Sequence, residues 1–566
     1  MRQRISYAVV LLMWTACGES APPDTGSQAP VGAHFTEVTN VVGLGGFSHT
    51  NGGFGEAWAP EIVGGGGGFL DYNGDQLPDI MLVAGGAFQG RMPTGPAVRL
   101  YRNNGDGSFV ETTTEAGLAD LRAYAFGITA ADYDNDGDQD VFVSTLYRDL
   151  LLRNDGNVFV EVGEQVGLGG VEEWSSSALF FDAGRDGHLD LYVGTYVDWS
   201  PEKDIYCGFN GEKVYCTPEL YDGIWGRYYR NNGDGTFQER TEQAGFTSGI
   251  EAHRDKTLGV ATFDANGDAW PDLVVANDTE RDLLFLNDGD GTFTESGIRS
   301  GIAYDQHGKP RAGMGIDVGV VDASGEPTIF VGNFTEETVG VYRHTGGGLY
   351  MDRAASSRIG QPSMMTLTFG LMLFDVDLDT DLDLYIANGH VQTHIARIVE
   401  GVTFRQRAQL FINTGDGLFE EAHPESELLS LPMVGRGAAY GDYDRDGDVD
   451  VLVIENNGSA HLWRNDLEGR NYLRVRLEGR ESNRDGLGAS VVLTAGDKRQ
   501  FRYVHTGSSF LAQSETIPVF GLGEVETVDS LSVIWPAGTV DRLGLLEANQ
   551  EVRLVEGSTL SMTKTQ

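Results

Sequence analysis

Cysteine is scarce in this chain, with only Cys17, Cys207 and Cys216 among 566 residues. In an oxidising compartment Cys207 and Cys216, nine apart, form one local disulfide, which leaves Cys17 to be explained in another way. Positive charge is also short. Forty Lys and Arg against 84 Asp and Glu give a formal charge of −44, a balance that repels phosphate backbones and anionic membrane surfaces and disfavours nucleic acid as a partner. Long helical periodicity is missing. With 78 Gly, the composition favours many short strands joined by tight turns, so the chain reads as all-β. The N-terminal apolar run, Ile5 to Trp14, is too short to span a bilayer.

What is present in quantity is repetition. An acidic loop recurs seven times, as DYNGDQLPD from Asp71, DYDNDGDQD from Asp132, DAGRDGHLD from Asp182, DANGDAWPD from Asp264, DASGEPTIF from Asp322, DVDLDTDLD from Asp375 and DYDRDGDVD from Asp442. The spacing, 50 to 82 residues, is of the kind that signals propellers or solenoids. A second motif follows most loops: a turn such as NNGDGSF or NDGDGTF, ending in an aromatic at Phe109, Phe159, Phe237, Phe293, Tyr350 and Phe419. Asn-Gly and Asp-Gly turns between apolar runs are hairpin signals, so each unit reads as four short strands, for example 126–131, 140–145, 150–154 and 159–162. Four-stranded units around an axis make a propeller. The seventh unit stops at Asn465 without an outer Phe-x-Glu strand, whereas Phe35-Thr-Glu begins the repeat region without a partner. A closed seven-bladed ring explains both, because closure removes free sheet edges.

The loops carry oxygen ligands at alternate positions. Calcium takes six to eight hard oxygens, and Asp132, Asp134, Asp136 and Asp140 supply them from positions one, three, five and nine. Asp375, Asp377, Asp379 and Asp383 repeat the pattern, as do Asp442, Asp444, Asp446 and Asp450. With an amide at position three, so do Asp71, Asn73, Asp75 and Asp79, and Asp264, Asn266, Asp268 and Asp272. Five strong calcium sites are expected. A sixth, weaker one is expected at Asp182, Asp186 and Asp190, where Gly184 takes position three, and none at Asp322. An EF-hand is excluded, since the position needing a bidentate Glu is Val143 in one copy and Val453 in another. The competing explanation is plain Asp-rich hairpin turns; magnesium suits such dry loops less well than calcium.

At the N-terminus Arg2 and Arg4, the apolar run and Thr15-Ala16-Cys17 have the layout of an export signal. Cys17 after two small residues resembles a bacterial lipobox, which implies a signal over 1–16, diacylation of Cys17 and an anchor in the outer membrane or at the cell surface. The alternative is an ordinary secreted protein. Residues 17–34 read as a flexible tether, 35–467 as the propeller, 468–557 as a small β-sandwich and 558–566 as a disordered tail. The repeats resemble the FG-GAP or VCBS repeat of integrin-type propellers. The segments SNRDGLGASV from Ser482, GSSFLAQSE from Gly507, FGLG from Phe520 and VIWPAG from Val533 are similar to an ASPIC and UnbV domain. The pairing of the two resembles the cartilage acidic protein-like family and its bacterial lipoprotein members, and implies no established catalysis.

Strands alternate in direction, so the acidic loops and Asn-Gly turns share one face of the ring. The opposite face receives the longer irregular loops, which are usually functional. His253, His307, Arg311, His390, His394 and Arg397 fall there, and they point to an anionic ligand: an acidic glycan, a carboxylate or a protein segment. A transition metal held by some of the histidines, or loop residues with no shared role, are the other readings. A binding, adhesion or scaffold role is expected rather than an enzyme. The alternative is a polysaccharide hydrolase or lyase, for which Glu172, Glu173 and Asp305 are candidates by position alone.

Overall fold

The computed structural model describes residues 34–558, apart from 53–55, 90–91, 95, 170–171, 251–254 and 424–425. The export signal, Cys17, most of the tether, His253 and most of the tail lie outside the described residues. Among those described, no helix is long and apolar enough to cross a membrane.

The repeats form a β-propeller. Each unit is a four-stranded antiparallel sheet. The second runs Ala125–Ala131, Asp140–Tyr147, Leu150–Asn154 and Phe159–Glu161, each strand paired with the next. Innermost strands such as FGITAA and TFGLMLF read as continuous apolar runs because they are buried on both faces, Ala125–Ala131 and Thr368–Phe374 completely so. Outer strands alternate instead. In Phe159–Glu161 the aromatic is buried and Val160 is exposed.

The innermost strands, Gly67–Leu70, Ala125–Ala131, Glu173–Phe181, Thr257–Phe263, Ile316–Gly319, Thr368–Phe374 and Gly435–Gly441, touch in chain order, and the last touches the first. The N-terminal strand Phe35–Glu37 is the outer strand of the final sheet, with Phe35 opposite Asn465. Neighbouring sheets are stapled by one residue type. The Asn that ends the third strand of a unit donates from Nδ2 to a carbonyl in the acidic loop of the unit before it: Asn154 to Tyr72 (2.6 Å), Asn231 to Tyr133 (2.9 Å), Asn287 to Ala183 (2.9 Å), Asn413 to Val321 (2.9 Å) and Asn465 to Val376 (2.9 Å). Asn103 reaches back to Tyr443 (2.7 Å) and completes the circuit. The fifth unit has His344 at the end of that strand, and there the Tyr350 hydroxyl, where other units carry Phe, donates to Ala265 (2.9 Å).

Residues 468–558 build a two-stranded sheet that pairs Thr527–Val528 with Leu546–Glu547, and two larger ones. In one, Asn471–Glu478 lies between antiparallel Val519–Gly523 and parallel Gln550–Val555. The other orders Lys498–Tyr503, Ser490–Ala495, Ser530–Ile534 and Val540–Leu543. Leu473, Val491, Phe520, Val533 and Trp535 fill the space between them, and this core continues into the propeller at Tyr133, Phe180 and Phe237. The sandwich does not stand apart.

Its residues 506–515 enter the centre of the ring. Ala512–Gln513 pairs in parallel with Gly67–Leu70, Ser509 exchanges backbone hydrogen bonds with Ile316 at 2.7 and 3.0 Å, and Phe510 is fully buried against Phe369, with ring centroids 4.8 Å apart. Glycine makes this approach possible. A Cβ on Gly68 would lie 2.0 Å from the Gln513 carbonyl oxygen, and one on Gly66 would lie 2.3 Å from that of Leu511.

Candidate functional site

The acidic loops are built by their own first and ninth residues. Asp132 accepts the N–H groups of Asp136 (3.0 Å) and Gly137 (2.9 Å). Asp140 accepts those of Tyr133 (3.2 Å), inside the loop, and of Asn154 (2.8 Å), at the end of the adjacent strand. The sixth loop repeats this, with Asp379 and Thr380 donating to Asp375 and with Val376 and Asn413 donating to Asp383. Tying positions one and nine to backbone gathers the intervening carboxylates. Oxygens of Asp132, Asp134 and Asp136, of Asp375, Asp377 and Asp383, and of Asp442, Asp444 and Asp450 lie within 4.8 Å of one another.

These groups fit a hard divalent cation. Asp134 Oδ1, Asp377 Oδ1, Asp442 Oδ1, Asp444 Oδ1 and Asp71 Oδ1 are buried and accept no hydrogen bond, which is costly for a carboxylate unless a cation answers it. In the first and fourth loops the amide at position three faces position five, Asn73 Nδ2 lying 2.9 Å from Asp75 and Asn266 Nδ2 lying 2.8 Å from Asp268. In the third, Asp182 holds the N–H groups of Asp186 and Gly187, and Asp190 accepts the Tyr228 hydroxyl (2.9 Å). In the fifth loop protein side chains take the place of an ion, with Arg343 2.7 Å from Asp322 and His344 2.8 Å from Glu326.

Burial, followed by charge repulsion or countered by backbone N–H groups, pushes these carboxyls up: Asp79, Asp132, Asp190 and Asp272 to about 8, Asp140 to about 9, and Asp383 and Asp450 well above the usual range. The sign of the pH dependence follows. Between 3.8 and about 8 the ion-free folded protein binds more protons than the unfolded chain, so its stability is greatest at low pH and is lost as pH rises. Carboxyls held below their usual range, Glu455, Glu551, Glu556 and Asp466, act below about pH 4.5 only. Scanning calorimetry of metal-stripped protein should therefore give a higher Tm at pH 5 than at pH 8. A Tm that rises over that interval would contradict the assignment.

The sandwich covers this face. Arg474, fully buried, lies 2.6 Å from Asp442, 2.7 Å from Glu515 and 3.2 Å from Glu551. Asp485 accepts the Asp132 N–H at 2.8 Å. Neither contact was legible beforehand. The nearest signal was the glycine run Gly64 to Gly68, which marks where another backbone must come close.

The opposite face is open at its centre. The hairpin of Cys207–Phe209 and Glu212–Val214, closed by the Cys207–Cys216 disulfide, reaches across as a strap. Tyr215 donates its hydroxyl to Glu61 (3.0 Å) and its carbonyl accepts Gln392 Nε2 (2.9 Å), while Phe209 stacks on His394 at 4.7 Å. Beneath it lies a cavity of about 590 Å³ that His390 and His394 line. The other residues expected on this face do not join them. Arg311 is nearly buried, ion-paired with Asp352 and set over the Tyr342 ring. His307 is exposed on another loop, and Arg397, which ends the 3-10 helix Ile395–Arg397, is exposed and does not line the cavity although its neighbours Ile395 and Ile398 do. The charged lining is acidic, from Glu219, Asp278 and Glu337, so the expected single basic face is not assembled; opposite charges distant in sequence had already consumed Arg311. Of the catalytic candidates, Glu173 is ion-paired with Arg227, and Asp305 accepts the N–H groups of His307 and Lys309 (2.8 Å each) as a turn residue.

Propeller, acidic loops and capping sandwich together define the class: the chain is an FG-GAP-repeat protein with an ASPIC and UnbV domain. The FG-GAP-like repeat family matches residues 71–143, 264–319 and 375–453, and the ASPIC and UnbV family matches 479–561. Among named proteins, the chain is similar to cartilage acidic protein 1 of Homo sapiens, 25% identical over 444 residues, which cover 74% of this chain and 61% of that protein. The Mus musculus protein of the same name is 24% identical over 474 residues, 79% of this chain and 67% of that one. The match thus spans about three fifths of the human relative's length. A solved Agrocybe aegerita lectin aligns at 17% identity over 63% of this chain and 79% of its own, with a TM-score of 0.39.

Proposed function

We propose that this protein is an exported, calcium-stiffened binding or scaffold module without catalytic activity, which takes its ligand on the face opposite the acidic loops. The observation that carries the reading is the division of labour between the two ends of the ring. One end concentrates buried, unanswered carboxylate oxygens and is sealed by the sandwich. The other is left open around a strapped cavity, the usual form of a ligand site. Five strong calcium loops and a weaker one at Asp182 would offset the charge repulsion at the sealed end. The Cys207–Cys216 bond suits an oxidising compartment, in keeping with export and with a lipid on Cys17.

The test pairs a glycan and protein array with an assay for polysaccharide turnover, each with calcium and with chelator. Stoichiometric, calcium-dependent capture without product is the expected result. Product formation would replace the binding module with an enzyme, and capture indifferent to chelator would remove calcium from the reading.

A further inference from the structure

The cavity under the strap has more character than an open groove. Leu258, Met314, Phe334, Phe369, Ile395 and Phe209 give it apolar walls, and its volume of about 590 Å³ lies within the range of small-molecule sites. Two polar atoms of lining residues are buried and lack a partner among the described residues: His390 Nε2 and Gln392 Oε1.

Their chemistry is fixed by what their other ends do. His390 Nδ1 accepts the Gln392 backbone N–H at 3.0 Å, so the ring hydrogen sits on Nε2, an unused donor. Burial and the Arg436 guanidinium hold the imidazole in its neutral form, pushed down to about 4. Gln392 Nε2 donates to the Tyr215 carbonyl at 2.9 Å, which leaves Oε1 as an unused acceptor. One unused donor and one unused acceptor on lining residues are the kinds of group that a hydroxyl or a primary amide can satisfy. A carboxylate would satisfy only His390 and an ammonium only Gln392, leaving a buried group unmet in either case.

Charge argues the same way. Glu219, Asp278 and Glu337 stand on the wall against an anion; Asp278 accepts the Tyr196 hydroxyl (2.6 Å) and Glu337 the Ala312 N–H (2.9 Å). Burial pushes both carboxyls up, Asp278 to about 7, against the opposing pull of Lys256 and Arg311. We propose that this cavity binds an uncharged amphiphile, a molecule with an apolar body and one hydroxyl or amide end, held by His390 and Gln392 under the disulfide strap. The proposal rests on the reading that this face takes the ligand, and it adds the ligand's chemical class.

The test uses the full chain with calcium and the uncharged fluorophore N-phenyl-1-naphthylamine, displaced by 1-decanol, decanamide, decanoate and decyltrimethylammonium. One site of enhanced fluorescence is expected, with the alcohol and amide effective at concentrations at least tenfold below those of the two ions. His390→Phe should weaken decanol about tenfold while retaining the fluorophore. Ile398→Trp, at the exposed rim of the cavity, should weaken the fluorophore itself without lowering Tm, so the result does not depend on a core substitution folding. Absence of fluorophore binding, equal displacement by the ions, or binding unchanged in both variants would overturn the proposal. If those failures came with calcium-dependent capture on the array, the amphiphile would fall while the binding module stood. If the alcohol bound as expected but the array showed product, the reverse would hold.

Discussion

Stripping divalent cations from the folded protein should lower its Tm by tens of degrees, and calcium at millimolar concentration should restore it. A ligand bound only by the native state at 100 times its Kd contributes about 2.7 kcal/mol per site, so five loops contribute on the order of 13 kcal/mol, comparable with the entire stability of an ordinary domain. The loops supply the mechanism. Without an ion, Asp442 Oδ1, Asp444 Oδ1 and Asp377 Oδ1 are desolvated with no donor, and like charges share sites less than 5 Å across. Magnesium should recover less of the loss because it resists giving up its water. Scanning calorimetry with a chelator and graded calcium measures the effect, and a Tm unmoved by thorough stripping would mean that the loops are bare turns.

The second large effect is expected at Phe510. Its ring is fully buried at the axis of the ring, in one core with Leu258, Met314, Trp174 and Phe369. The neighbouring backbone is tied on both sides, since Ser509 pairs with Ile316 and the Leu511 carbonyl accepts N–H groups of Gly67 (3.3 Å) and Ile128 (3.4 Å). The surroundings therefore have little freedom to collapse into the void. Phe510→Ala should cost about 3–5 kcal/mol, read as a shift in denaturant midpoint at constant calcium. Val540→Ala, at a partly exposed position, should change nothing measurable. A loss of less than about 1 kcal/mol at Phe510 would mean that the inserted segment lies loosely in the channel and does not help to hold the propeller together.

Local chemistry made the propeller legible. The nine-residue loops and Asn-Gly turns fix hairpins at short range, and the strands over 126–131, 140–145 and 150–154 emerge within two residues of their expected limits. The orphan Phe35-Thr-Glu pairs at Asn465 as the offset required. What escaped were the long-range contacts that no repeat signals. Arg474 with Asp442, Asp485 with Asp132 and residues 506–515 with the channel leave no periodicity behind. Arg311 looks like a free cation because its partner, Asp352, lies on another strand. The cavity was hidden for a related reason: its walls are single apolar residues drawn from several units and a strap.

The joining of Phe35–Glu37 to Ala460–Asn465 has a temporal consequence. During synthesis the first repeat strand waits, unpaired, while some 430 further residues are added, and the axial segment that fills the ring arrives later still. Loop closure on that scale is entropically expensive and slow. The native ring therefore cannot form piecemeal on the ribosome. The closing strand, made first, thus holds the last blade open until the rest of the repeat region is present.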